Sequence, residues 1–126
     1  MQDIIKKLKF KDNGVVLNAP VALEEKFVKL GFKTMLDKKA KSTNTLVFIN
    51  NNEGYLDFLQ TNLKNIEVDS VLWLAYPKGT SKIKTDINRD TIRVTGEKFG
   101  ITTVTAISID DTWSALRFRP IEKVGK

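Results

Sequence analysis

Eight residues that follow predicted strands have the chemistry to bind a small polar molecule: Asn18, Asn50, Asn51, Lys78, Gly79, Asp110, Asp111 and Trp113. They supply amide groups, an ammonium, two carboxylates, an indole and an open backbone N–H. In an open α/β sheet such loops meet at the carboxyl edge of the strands, where ligands bind. We therefore predict a site for a small anionic or nucleotide-like ligand, or for a protein partner. Each residue also has an ordinary local role, since asparagines cap helices and paired aspartates form turns.

Catalysis is not predicted for these residues. The chain has no cysteine and no histidine, which excludes thiolate nucleophiles, histidine triads and most transition-metal sites. Asp110 and Asp111 are adjacent, so an extended strand would point them to opposite faces. We expect no catalytic residue, no metal and no cofactor, and we favour a binding module over an enzyme.

Two further features could bind anions. The sequence KGTSK at 78–82 precedes a predicted helix, where backbone N–H groups, hydroxyls and ammoniums favour phosphate, although the P-loop spacing is absent. Arg117 and Arg119 share one face of the last predicted strand. We expect them to pair with carboxylates or to cover the sheet surface with their stems; the alternative is that they clamp an anion.

Length and charge limit the remaining classes of function. The 126 residues predict one domain over 1–126, and 21 basic against 15 acidic residues give a net charge of +6. This surplus favours anionic partners by long-range steering. No aromatic stacking pattern accompanies it, so a nucleic-acid partner is not expected. No apolar run suits a membrane span or secretory signal, which predicts a cytoplasmic protein; the oligomeric state stays open.

Short apolar runs alternate with helically spaced apolar residues, a pattern typical of βαβ units. Strands are predicted at 14–18, 33–37, 45–49, 71–76, 101–109 and, antiparallel to the rest, 113–121. Helices are predicted after Pro20, after the asparagines at 50–52, and after Asp86 as N-cap. Continuously apolar strands are typical of sheets covered on both faces. The predicted fold is therefore α/β, a three-layer Rossmann-like domain with a mostly parallel sheet of about six strands.

Three stretches carry a resemblance to known proteins: VLNAP at 16–20, LWLAYPKG at 72–79 and DDTWSALRFR at 110–119. Together they resemble a family of short, uncharacterised bacterial proteins, which implies no particular activity. More distantly, the chain resembles a trimmed S-adenosylmethionine-dependent methyltransferase fold, which implies the strand order 2-1-3-4-6-5.

The chain departs from methyltransferases at the turn where they bind their cofactor. That turn is glycine-rich in the family, but here it reads NAPVA, with bulk at Pro20 and Val21. Asp37, at the end of the second predicted strand, stands where ribose hydroxyls would bind. The resemblance leaves a small transferase as the alternative to a binding module, and the basic segments leave non-specific nucleic-acid binding as a weaker one.

Overall fold

Three apolar runs form the parallel half of a five-stranded sheet in the computed structural model, which describes residues 2–10, 14–37 and 39–124. The strands are β1 (Val15–Leu17), β2 (Ser42–Phe48), β3 (Ile66–Pro77), β4 (Ile101–Ser108) and β5 (Trp113–Pro120). The helices are α1 (Gln2–Leu8), α2 (Val21–Lys29), α3 (Asn52–Thr61) and α4 (Arg89–Glu97), with short 3₁₀ turns at Leu63–Asn65 and Ile121–Lys123. No helix in these ranges has the length and apolar character to cross a membrane.

The sheet corrects the predicted fold. Its order is β1-β2-β3-β5-β4; the pairs β1–β2 and β2–β3 are parallel, whereas β3–β5 and β5–β4 are antiparallel. The predicted six-stranded, mostly parallel Rossmann-like sheet, with its order 2-1-3-4-6-5, is therefore wrong, and only the α/β class is shared.

The missing strand is the one predicted at 33–37. Only a single parallel bridge between Val15 and Lys33 forms there. Lys33, Thr34 and Met35 are exposed, so a strand in this segment would bury little apolar surface. Asp37 therefore does not end a strand.

Two hydrophobic cores cover the two faces of the sheet. On one face, α3 and α4 pack on the sheet through a core that includes Tyr55, Phe58, Ile92, Leu74 and Leu116. On the other, α1 and α2 contribute Leu8 and Phe27 to a core with Trp73, Phe48 and Ala115. Alternate residues of β3 and β5 belong to opposite cores, as the two-residue period of a strand requires.

Helix α4 begins two residues later than predicted because its cap is Asn88. The Asn88 side chain accepts a hydrogen bond from the Thr91 amide at 3.0 Å, and the Thr91 hydroxyl accepts one from the Asn88 amide at 2.9 Å. This reciprocal arrangement satisfies two backbone donors at the helix start. Asp86, the predicted cap, instead accepts a hydrogen bond from the Asn52 amide at 2.7 Å and ties this loop to the start of α3.

Strand β3 has a large bulge near its start. Ser42 pairs with Ile66 and Asn44 with Val71. Between these two pairs β3 advances by five residues while β2 advances by two. The extra residues lie in the segment 67–70, where Asp69 adopts a left-handed backbone with φ of 56°. The Ser70 hydroxyl donates to the Glu67 carbonyl at 2.7 Å and closes the bulge. Bulges change the direction of side chains and are frequent next to functional sites.

Candidate functional site

The predicted site residues lie at one edge of the sheet, which we call the rim. The parallel strands β1, β2 and β3 all end there, and the β4–β5 turn reaches the same edge because Pro77 pairs with Trp113 and Ser108 with Ser114. The loops that contain Asn18, Asn50, Lys78 and Asp110 therefore emerge together. The sequence alone located this convergence.

Lys78 and Asp110 hold the rim loops together. The Lys78 amide donates to the Thr112 carbonyl at 2.8 Å, and its ammonium donates to the Ser108 hydroxyl at 2.6 Å. The Asp110 carboxylate accepts from the amides of Thr112 and Trp113, each at 2.8 Å. These bonds are the turn chemistry that the sequence offered as the alternative to ligand binding.

The other rim residues divide between structural and open positions. The Asn51 side chain caps α3 by accepting from the Gly54 amide at 2.8 Å. Trp113 is 5% exposed and packs edge-on against Phe48 with ring centroids 5.0 Å apart, so it belongs to the core. The remaining predicted positions, Asn18, Asn50, Gly79 and Asp111, are exposed to solvent, as Asn51 and Asp110 also are.

A cavity of about 260 Å³ lies at the opposite end of the sheet. We call it the sheet-end cavity. It lies between the start of β3, the start of β4 and the end of β5. Its apolar lining comprises Leu63, Ile66, Val68, Leu72, Phe99, Ile101, Phe118 and Pro120. The charged residues Glu67, Asp69, Arg119 and Glu122 also line it, together with Ser70 and Gly100. The exposed glutamates mark the mouth, where the cavity meets solvent.

An ion pair at the mouth joins the β3 bulge to the end of β5. The Arg119 Nε donates to Asp69 Oδ1 at 2.9 Å, and a second guanidinium nitrogen donates to Oδ2 at 3.1 Å. The hydrogen bond and the opposite charge of Arg119 lower the pKa of the Asp69 carboxyl, and Asp69 raises the pKa of Arg119. This two-point contact holds Asp69 in its left-handed conformation, which is costly for a residue other than glycine.

Of the two arginines on this strand face, Arg119 pairs with a carboxylate, which is the contact expected from the sequence. Arg117, on the same strand face, has a buried Nε with no hydrogen-bond partner among the described residues. In the same ranges, no group of three or more acidic side chains is placed to hold a metal ion. The apolar and charged side chains that line the sheet-end cavity could bind a small molecule by apolar contact and by electrostatic attraction.

Sequence reasoning missed this cavity because it depends on distant residues. Asp69 and Arg119 are 50 positions apart, and their contact depends on the bulge and on the β3–β5 pairing. The available signal was the polar interruption EVDS at 67–70, directly before the most apolar strand.

Comparisons with known proteins give no match: no family model, curated protein or solved structure is similar to this chain.

Proposed function

We propose that this domain binds a small molecule with an apolar body in the sheet-end cavity, without catalysing a reaction. The proposal rests on one observation, a half-open cavity of about 260 Å³ with eight apolar side chains in its lining. A dry cavity of about 150 Å³ holds benzene, and drug-sized ligands occupy about 300 Å³ or more. The cavity therefore suits a molecule of roughly one aromatic ring with a short chain.

The neutral probe 2-phenylethanol tests this proposal. Burying its ring offers little more than the association cost, so we expect saturable binding with a dissociation constant of order 1 mM. Two-dimensional NMR of the labelled protein should show shifts concentrated at amides of the cavity lining, such as Ile66, Ile101 and Phe118. The absence of saturable shifts there would refute the proposal.

A cavity-filling variant provides the matched test. Leu63 lines the cavity and is half-buried, so Leu63→Trp should fill part of it and weaken binding by about tenfold or more. Ile121 lies close by on the surface, 43% exposed and outside the lining, so Ile121→Trp should bind the probe like the unmodified protein. Equal binding by both variants would place the probe elsewhere.

A second candidate is the predicted anion site at the rim. Helix α2 begins after Pro20, which makes no side-chain capping hydrogen bond, and the exposed Asn18 comes two residues before Pro20 in the chain. Free N–H groups at a helix start favour anions. Titration with inorganic phosphate should shift the amides of Val21 and Ala22 if this site operates, whereas unchanged amides would reject it.

A further inference from the structure

We infer that the sheet-end cavity selects a cation, namely an apolar molecule that carries one ammonium group. This inference rests on the proposed function and adds the class of ligand. The cavity itself is the site, and the charges at its mouth decide which head group is preferred. Three carboxylates, on Glu67, Asp69 and Glu122, line it together with one guanidinium on Arg119, a local charge of −2. The whole chain carries +6, so the lining of the cavity differs in sign from the chain.

The guanidinium is already engaged. Arg119 makes two hydrogen bonds to Asp69, at 2.9 and 3.1 Å, and an anionic ligand would have to displace that carboxylate. Displacement would also release the contact that holds Asp69 at φ of 56°. An anion is therefore disfavoured at the one basic group in the lining.

The two glutamates are open to a ligand. Glu67 lies in the β3 bulge and Glu122 in the 3₁₀ turn after β5, and both are exposed. Within the described ranges neither carboxylate makes a hydrogen bond or an ion pair; Ser70 bonds to the backbone carbonyl of Glu67. Lys123 and Arg117 lie outside the cavity lining, and both lower the pKa of Asp69. With these two charges included the sum around the mouth is zero, so the preference for a cation comes from the two glutamates, whose carboxylates have no partner among the described residues.

The aromatic lining suits the body of the same ligand. Phe99 and Phe118 both border the cavity, and aromatic rings pack favourably against one another in offset or edge-on arrangements. A ring on the ligand would pack against these side chains while its ammonium stays near the glutamates at the mouth. An arylalkyl ammonium meets both requirements.

Three probes with the same aromatic body separate the head groups: 2-phenylethylammonium, 2-phenylethanol and phenylacetate. At pH 7 and low salt we expect the ammonium to bind roughly two- to fivefold more tightly than the alcohol, the range of an exposed ion pair. Phenylacetate should bind most weakly. The preference should shrink in 0.5 M salt (roughly a 4 Å screening length), whereas alcohol binding should not weaken.

Charge-removing variants assign the effect to the mouth. The double substitution Glu67→Gln and Glu122→Gln should bring the ammonium close to the alcohol in affinity and leave the alcohol unchanged. Glu53→Gln, an exposed position in the first turn of α3, is the matched control and should keep the full preference. All these positions are exposed, and equal melting temperatures would verify that the variants fold alike.

The outcomes distinguish the two proposals. If the alcohol binds but the ammonium binds no more tightly, or if the double variant keeps the preference, the cation inference is wrong and the proposed function stands. Tightest binding of phenylacetate, abolished by Arg119→Gln, would reverse the sign of the inferred ligand. If none of the three probes binds, the proposed function fails and the inference fails with it.

Discussion

Gly96 shows how one residue sets the distance between a helix and the sheet. It lies inside α4, where glycine costs about 1 kcal/mol relative to alanine. In the structure Gly96 is buried. A Cβ there would lie 2.9 Å from Phe118 Cε1 and 3.0 Å from the Tyr55 hydroxyl oxygen. The glycine thus lets α4 approach β5 closely enough to exclude water.

We expect Gly96→Ala to destabilise the protein. The added methyl must displace Phe118 and Tyr55, which are themselves buried, at a cost of about 1–3 kcal/mol that exceeds the helical gain. The net loss in the free energy of unfolding should be up to about 2 kcal/mol in urea titrations. Gly79→Ala is the control, since a Cβ there meets nothing within 4 Å, and it should change stability by less than about 0.5 kcal/mol. A neutral Gly96→Ala would contradict the packing argument.

Helix α1 is the element that sequence reasoning did not anticipate. Its signal was present, because Ile4, Ile5 and Leu8 recur at helical spacing on one side. The helix covers Trp73 of β3: Leu8 is fully buried, and the indole N–H of Trp73 donates to the Leu8 carbonyl at 2.7 Å. A buried indole needs such a partner, and the end of α1 provides it.

Leu8→Ala should therefore loosen α1 from the sheet. Loss of a fully buried leucine costs about 2–5 kcal/mol, and we expect a decrease in that range in the free energy of unfolding. Because α1 shields Trp73, the tryptophan emission of the folded variant should shift to longer wavelength. Lys7→Ala, at an exposed position of the same helix, should change stability by less than about 0.5 kcal/mol. A variant with native emission and stability would show that α1 does not contribute to the core.

At the scale of the whole molecule, the sequence predicts contacts that depend on local pattern and misses those that depend on register. The apolar runs located β1, β2 and β3, and their shared direction placed Asn18 and Lys78 at one rim. The Asp69–Arg119 pair was not predictable, because a bulge of three extra residues decides which side chains meet. The predicted strand order is wrong for a related reason. The segment 33–37 forms one bridge at Lys33 instead of an edge strand, because its exposed residues would bury little apolar surface.

Tyr55 connects the two helices of one core and makes global stability depend on alkaline pH. It is fully buried in α3, and its hydroxyl donates to the Ile92 carbonyl of α4 at 2.7 Å. Burial raises the pKa of the Tyr55 hydroxyl above its usual value of 10.0. The unfolded chain therefore loses this proton at lower pH than the folded protein does. Consequently the stabilising contribution of Tyr55 is complete below pH 10 and declines as the pH rises further.

The substitution Tyr55→Phe should reveal this dependence. At pH 8 it removes a buried hydrogen bond, so we expect a loss of about 1 kcal/mol in the free energy of unfolding. Above pH 10 the unmodified protein should lose additional stability, by up to about 1.4 kcal/mol per pH unit, that the variant does not lose. The difference between the two proteins should therefore narrow between pH 10 and 11 in urea titrations. Tyr76→Phe is the control: it keeps Tyr55, so its free energy of unfolding should decline with pH as steeply as that of the unmodified protein. If the difference in free energy of unfolding between Tyr55→Phe and the unmodified protein stayed constant with pH, Tyr55 would ionise equally in the folded and unfolded states.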